Sequence, residues 1–319
     1  MSSQRFAVFD IGSNSTKVLI ASVNRDGSFR KITEEGHTCR LFESGNHKFQ
    51  SIPNSVIKNL GNVLKKLFEI CINQKVAKIV IVATEAIRRA ENKIDVIRTI
   101  ESRFGYQIRI LSGEEEALFI SRGIELDSMI KKSKSFQAFD LGGGSLELIE
   151  WNSESNLRLK SLPLGVLPMV AEFHSEKECA LPSRAEDNLK AKIKGEIKQS
   201  GFSQNPNLSL VGLGGAVIFL RKILATQKGL DFEKSSVLHL PDIIKLRQQV
   251  SRMSLEERIV SFPDLPPDRA DVFPVACIII EEILMNFKKS KIFHSFSNLR
   301  YGLLSSCHTN DGLFQVFRQ

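Results

Sequence analysis

Apolar residues in this chain form short strand-like runs that are separated by polar turns or by longer helix-like stretches. Two segments share one pattern, FAVFDIGSNSTKVLI at 6–20 and FQAFDLGGGSLELIE at 136–150. In each, an apolar run ends on an aspartate, a turn containing glycine follows, and a second apolar run begins. This arrangement predicts two β-hairpins.

The rest of the chain alternates between strand-like runs and stretches with the apolar spacing of a helix, which predicts an α/β protein. Further strands are expected at 29–36, 76–83, 106–111, 157–164, 208–211 and 291–296. Helices are expected at 53–68, 92–104, 112–123, 182–199, 216–224, 241–254 and 272–286, and from 299 onwards. Residues 256–258 are interpreted as a solvated continuation of the helix before them.

The two hairpins are related by a constant shift of 140 − 10 = 130 positions. This shift places Asp10 on Asp140, Gly12 on Gly142 and Ser15 on Ser145. A repeated unit of this kind indicates a duplicated domain, with two similar lobes facing each other across a cleft. Both turns would then present an aspartate and backbone N–H groups to one shared ligand.

The second hairpin carries the clearest candidate chemistry. Glycines leave backbone N–H groups open to close approach by an anion, and Asp140 and Glu147 flank the turn. Carboxylates beside a phosphate site suit Mg²⁺, which binds oxygen ligands. An ordinary hairpin with a glycine turn explains the single segment equally well, and the repeat is what favours the functional interpretation.

Composition narrows the class of partner. The chain has 319 residues and a net charge of +8, which favours an anionic partner: a phosphate-rich metabolite, polyphosphate or nucleic acid. No apolar run approaches the length of about 20 residues needed to span a bilayer. Five cysteines without metal-like spacing, and no secretory signal, lead us to expect reduced thiols and a cytoplasmic location.

Several motifs, in order, resemble the exopolyphosphatase and guanosine pentaphosphate phosphohydrolase family, within the superfamily of sugar kinases, actin and heat-shock ATPases. They cover nearly the whole chain: DIGSNS at 10–15, ATEAIRRAEN at 83–92, ILSGEEEA at 110–117, DLGGGSLE at 140–147, LPLG at 162–165, PPDRAD at 266–271 and NLRYGLL at 298–304. The resemblance implies a two-lobed, duplicated actin-like (ribonuclease H-like) fold with a catalytic cleft between the lobes. It implies lobes at 1–125 and 126–302, with a C-terminal helix at about 303–319 packed back on the first lobe.

The resemblance also implies roles for individual residues. Glu116 corresponds to the general base that activates water, whereas Glu114 and Glu115 are assigned to capping the helix after Ser112. The metal set for Mg²⁺ is Asp140, Glu147 and Asp10, with Asp10 more important for positioning. The phosphate-binding set consists of Gly12, Ser13, Asn14, Ser15, Arg88, Gly142, Gly143, Gly144 and Ser145.

The activity implied is release of terminal phosphate from inorganic polyphosphate or guanosine pentaphosphate. Four positions depart from the family pattern, which places substrate choice and rate in doubt: Leu146, Pro168, Ala216 and Tyr301. One alternative is a regulatory protein that binds guanosine tetra- or pentaphosphate without turnover, and another is an actin-like or sugar-kinase ATPase. A homodimer is among the expectations. No specific nucleic-acid partner and no membrane partner are expected.

Overall fold

The computed structural model describes residues 3–41, 51–128, 130, 135–152, 157–307 and 313–318. The chain forms two compact units, Met1–Ser128 with Ser297–Gln319 (unit 1) and Met129–Phe296 (unit 2). The chain returns from unit 2 to unit 1 after Phe296, which is before the boundary expected at 302. The reason is that the helix that begins at Leu299 already packs within unit 1. The lysines at 131, 132 and 134, a candidate basic cluster, lie outside the described residues.

Unit 1 contains a mixed sheet with the order β12-β4-β1-β2-β3, and β5 also pairs with β4. Its strands are β1 (Gln4–Ile11), β2 (Ser15–Val23), β3 (Phe29–Thr38), β4 (Lys78–Ala83), β5 (Ile108–Ile110) and β12 (Gln315–Val316). The first hairpin is antiparallel, and β1, β4 and β5 run parallel to one another. The carboxyl ends of these parallel strands therefore lie at one edge of the sheet.

Helices cover this sheet with apolar faces. They are α1 (Asn54–Asn73), α2 (Glu85–Arg89), α3 (Lys93–Phe104), α4 (Gly113–Glu125) and α12 (Leu299–Ser305). In α1 the buried residues recur at helical spacing and join the apolar residues of β1, β2 and β4 in one core. The apolar face that the sequence predicts for α1 is therefore the face that packs against the sheet.

Unit 2 repeats the topology. Its strands are β6 (Ser135–Leu141), β7 (Leu146–Asn152), β8 (Arg158–Leu162), β9 (Ser209–Leu213), β10 (Val237–His239) and β11 (Lys291–His294), in the order β10-β11-β9-β6-β7-β8. The path β8-β7-β6-β9-β11 has the strand directions of β3-β2-β1-β4-β5 in unit 1. The duplication inferred from the two hairpins thus extends over five strands in each unit.

The helices of unit 2 surround a larger apolar core. They are α5 (Val166–Phe173), α6 (Ser183–Gln199), α7 (Gly215–Gln227), α8 (Leu240–Ser251), α9 (Leu255–Ser261), α10 (Pro267–Ala270) and α11 (Phe273–Asn286). Helix α11 is buried on almost every side, as its apolar sequence indicates. No helix among the described residues combines the length and the apolar character needed to cross a membrane.

Two helical predictions need correction, and two helices lie outside the predicted set. Residues 256–258 do not continue α8, because Ser254 accepts a hydrogen bond from the Glu257 amide and starts the separate helix α9. The helices outside the predicted set are α5 and the short helix α10. The C-terminal helix does not occupy 303–319: α12 ends at Ser305, and Gln315–Val316 forms a strand on β4.

Candidate active site

The two glycine turns have the same local geometry. In loop 1 (residues 12–15) the Gly12 amide donates to the Ser15 carbonyl oxygen at 3.1 Å. In loop 2 (residues 142–145) the Gly142 amide donates to the Ser145 carbonyl oxygen at 3.0 Å. The alignment by 130 positions therefore corresponds to a real structural repeat.

Each loop is fixed by the segment that follows the third strand of its unit. In unit 1 the amides of Cys39 and Leu41 donate to carbonyl oxygens of loop 1, at 3.1 and 3.0 Å. In unit 2 the amides of Val166 and Leu167, in the first turn of α5, donate to carbonyl oxygens of loop 2, at 3.1 and 2.8 Å. Because these hydrogen bonds engage carbonyl groups of both loops, the loops are preorganised to present backbone N–H groups to an anion.

Glycine is required around loop 2 because other backbone lies against it. A Cβ atom on Gly165 would lie 2.1 Å from the Gly144 carbonyl carbon. A Cβ atom on Gly214, which has φ of 100°, would lie 2.3 Å from the Leu141 carbonyl oxygen. Gly165, the last residue of the motif LPLG, thus packs against loop 2 itself, and Gly214 packs against the end of β6 that leads into it.

Asp140 and Glu147 are directly opposite each other in the β6–β7 ladder. Opposite residues of an antiparallel pair project from the same face, so two carboxylates are neighbours there. Glu147 is 1% exposed, and the Ser161 hydroxyl donates to its Oε1 at 2.8 Å. A pair of adjacent acids with one member buried suits a bound cation, because like charges so placed are otherwise unfavourable.

The equivalent cross-strand pair in unit 1 consists of an acid and a base. Asp10 lies opposite Lys17 in the β1–β2 ladder, so a cation takes the position that Glu147 holds in unit 2. The Asp10 Oδ2 atom also accepts a hydrogen bond from Arg300 Nη1 at 3.1 Å. The aspartate of the first hairpin is therefore compensated by basic side chains of the protein, and its metal-ligand role stays a prediction.

Within the part of the chain that the structure describes, no three His, Cys, Asp or Glu side chains are grouped closely enough to hold a metal. Mg²⁺ in phosphate-transfer sites commonly uses only one or two carboxylates, with substrate phosphate and water completing its coordination. The Asp140–Glu147 pair beside loop 2 fits that requirement. The magnesium site itself remains a prediction.

Glu116 lies at the start of α4, after the end of β5. Ser112 and Glu115 form a capping box, in which each side chain accepts from the other residue's amide. The capping role predicted for Glu115 is therefore confirmed. Glu114 is exposed, whereas Glu116 is buried, so the three adjacent glutamates have three different surroundings.

Arg88 holds Glu116 in place. Its Nη1 donates to Glu116 Oε2 at 3.2 Å and to the Leu111 carbonyl oxygen at 2.6 Å. Its Nη2 donates to Glu85, which also accepts from Arg89. Burial alone would lower the pKa of Arg88, but the charges of Glu116 and Glu85 outweigh it and raise that pKa.

Glu85 is the member of this cluster that sequence reasoning missed. It is 7% exposed and lies where β4 leads into α2. Its available signal was its place in ATEAIRRAEN, three positions before Arg88 on a helical turn. The structure joins Glu85, Arg88 and Glu116 in one ion-paired cluster, and the role of Arg88 as a phosphate clamp stays a prediction.

Two of the four departures from the family pattern, Leu146 and Tyr301, lie in packing positions. Leu146 is fully buried in the core of unit 2 and opposite Leu141, on the other face of β7 from Glu147. Tyr301 packs against Phe29, with ring centroids 6.2 Å apart. The Leu146 side chain therefore does not reach the face that carries the two acids.

Comparison with known proteins agrees with this architecture. Residues 19–310 match the model of the Ppx/GppA phosphatase family. The chain is 28% identical over 301 residues to the bifunctional 3-dehydroquinate synthase/phosphatase of Fusobacterium nucleatum, a match that covers 91% of this chain and 44% of that protein. This chain thus spans less than half of that relative.

Two solved structures share the fold. The Aquifex aeolicus member of the Ppx/GppA family is 25% identical, with a TM-score of 0.78 and coverage of 97% of this chain and 99% of that chain. An exopolyphosphatase from Cytophaga hutchinsonii is 24% identical, with a TM-score of 0.83 and the same coverage. The predicted duplicated actin-like α/β fold is confirmed, and the chain belongs to the Ppx/GppA phosphatase family.

Proposed function

We propose that this chain is a phosphohydrolase that releases terminal phosphate from inorganic polyphosphate or guanosine pentaphosphate by attack of water, with Mg²⁺ bound. The observation that carries the proposal is the pair of opposed carboxylates, Asp140 and Glu147, directly beside the preorganised loop 2. Membership of a phosphatase family and the phosphatase in the name of the Fusobacterium relative support the reaction class.

Charge is the main obstacle in this reaction, because water must approach a polyanion. The N–H groups of each loop would bind phosphoryl oxygens, and the fixed geometry of each loop would avoid reorganisation during the reaction. Asp140 and Glu147 would hold Mg²⁺, which supplies positive charge against the charge that develops on the phosphoryl oxygens. Asp10, fixed by Arg300, would position the water or the phosphoryl group.

Glu116 would accept the proton of the attacking water. A general base needs a defined orientation, and Arg88 provides it through the bond to Glu116 Oε2. Glu85 in turn anchors Arg88 from the side of α2. The cluster therefore contains a base, a group that orients it, and a group that anchors the orienting arginine, as in other hydrolytic sites.

The direct test measures phosphate released from polyphosphate and from guanosine pentaphosphate, with Mg²⁺ and with EDTA. We expect release that requires Mg²⁺, and Glu116→Gln should lower kcat by about 10²–10⁴-fold with little change in substrate binding. Glu114→Gln is the matched control, since it removes the same charge from an exposed site on the same helical turn. It should keep kcat near the wild-type value.

The outcomes separate the alternatives. Tight binding of guanosine tetra- or pentaphosphate with no phosphate release would support a regulatory protein instead. Release that is undiminished in EDTA would remove Mg²⁺ from the proposal. A Glu116→Gln enzyme with more than half of the wild-type kcat would show that Glu116 is only a helix-start acid.

A further inference from the structure

Arg300 connects the end of the chain to the beginning of the site. This arginine of α12 is only 3% exposed, and its Nη1 donates to Asp10 Oδ2 at 3.1 Å. Its Nη2 donates to Glu34 on β3. Burial alone would lower the pKa of Arg300, but the charges of Glu34 and Asp10 outweigh it and raise that pKa.

The contact between Arg300 and Asp10 lies just before loop 1. Asp10 is two residues before Gly12, and its ladder partner Lys17 lies on the strand that leaves the loop. Glu34 lies on β3, two residues from Gly36, the ladder partner of Lys17. Arg300 therefore bridges two acids near the first turn, and its removal would leave Asp10 and Glu34 without the cation that they share.

The same helix also contacts the element that carries Glu116. A Cβ atom on Gly302 would lie 1.6 Å from the Phe119 carbonyl oxygen, and one on Gly123 would lie 2.4 Å from the Asn298 carbonyl oxygen. The backbones of α12 and α4 are thus in direct contact at two glycines. Phe119 is three residues after Glu116, so this contact lies within one helical turn of the proposed base.

We propose that Arg300 is a positioning residue for the reaction: it acts through Asp10 and fixes loop 1 relative to α4 and Glu116. The inference rests on the proposed function. If Arg300 only stabilised the fold, the elements that it joins would have no particular relation to the proposed site. Arg300 instead joins the aspartate before loop 1 to the helix that packs on the base-bearing helix. A small displacement of either element would misalign water and phosphate, and such misalignment is costly for rate.

The test is a double-mutant cycle on phosphate release, with Arg300→Gln, Asp10→Asn and both together. Arg300→Gln should lower kcat by about 10–100-fold and change KM less than about three-fold, because alignment is lost and binding is largely kept. The double variant should be no slower than Asp10→Asn, since Arg300 acts through that group. Arg300→Lys should have a higher kcat than Arg300→Gln, because the lysine ammonium group keeps the positive charge although it lacks the two-pronged guanidinium geometry.

Arg247 supplies a matched control within unit 2. It is also a buried arginine that binds two acids, Glu281 and Glu186, and it belongs to α8, outside the proposed site. Arg247→Gln should lower stability to a similar extent and leave kcat per folded molecule unchanged. An equal loss of kcat in this control, or multiplicative losses in the double variant, would overturn the positioning role.

A second readout does not depend on turnover. Arg300→Gln should increase amide hydrogen exchange in residues 11–16, and Arg247→Gln should not. If the wild-type chain releases no phosphate from either substrate, the proposed function fails and exchange alone decides whether Arg300 fixes loop 1. Unchanged exchange in Arg300→Gln would reject the positioning role by itself.

Discussion

Removal of one carboxylate from the second hairpin should make the metal-free protein more stable. Opposite residues of antiparallel strands have Cβ atoms about 4.5–5.5 Å apart. Two unit charges about 5 Å apart repel by about 3 kcal/mol at an effective dielectric constant of about 20. Asp140 and Glu147 hold such positions. Glu147→Gln removes one charge and retains an oxygen that can accept from Ser161.

We therefore expect Glu147→Gln to raise the free energy of unfolding by about 1–3 kcal/mol in EDTA at pH 7.5. Thermal unfolding would show this as an increase in Tm of about 2–4 °C per kcal/mol. Mg²⁺ should stabilise the wild-type chain by mass action, and it should stabilise the variant much less because a ligand has been lost. Activity should fall while stability rises.

Glu150→Gln on the same strand is the control. Glu150 lies opposite Gln137, whose Nε2 donates to its Oε2 at 2.8 Å, so the opposing group is not an acid. This control should gain no stability in EDTA. Equal gains in both variants would indicate a general effect of net charge. A Glu147→Gln protein that is less stable than the wild type in EDTA would refute the argument from repulsion.

Two further predictions concern packing and pH. Gly302→Ala should destabilise the protein by at least about 2 kcal/mol in urea unfolding, because its Cβ would meet the Phe119 carbonyl oxygen. Gly195→Ala, with nothing within 4 Å, should instead stabilise by about 0.5–1 kcal/mol, and equal effects would contradict this. Burial, with the Arg258 charge, lowers the pKa of His174 from 6.5 to about 4, so its unfolded state binds more protons between those values. The contribution of His174 to the free energy of unfolding should be fully present above pH 6.5 and should fall by about 3 kcal/mol as pH approaches 4. His174→Gln should make the total loss of stability smaller by about that amount, and an unchanged slope would exclude a contribution from His174.

Local sequence patterns were sufficient for the parts of the site that depend on neighbouring residues. The two hairpins follow from alternating apolar residues and from glycine at the turns. The capping box of α4 follows from Ser112 and the acid three residues later. The same signal is present at Ser254 and Glu257, where it marks the start of α9 as a helix separate from α8.

The charged contacts could not be predicted in the same way, because they join residues that are distant in sequence. Arg300 and Asp10 are separated by 290 positions, and neither periodicity nor composition indicates that they pair. The sequence predicts a solvated helix face for Arg258, yet this residue is fully buried and donates to carbonyl groups, among them those of Cys179 and Ala270. Such arginines acquire their partners only when separate elements pack together.

The comparison of the two hairpins explains why only one of them is proposed to bind a metal. The repeat conserves the backbone turn and the aspartate, but it places Lys17 opposite Asp10 and Glu147 opposite Asp140. In unit 1 the protein also supplies Arg300, so the charge of Asp10 is balanced by side chains that are part of the fold. In unit 2 the cross-strand neighbour adds a second negative charge beside loop 2, and a bound cation would relieve it. The first hairpin is thereby suited to hold a fixed position, and the second to respond to its ligand.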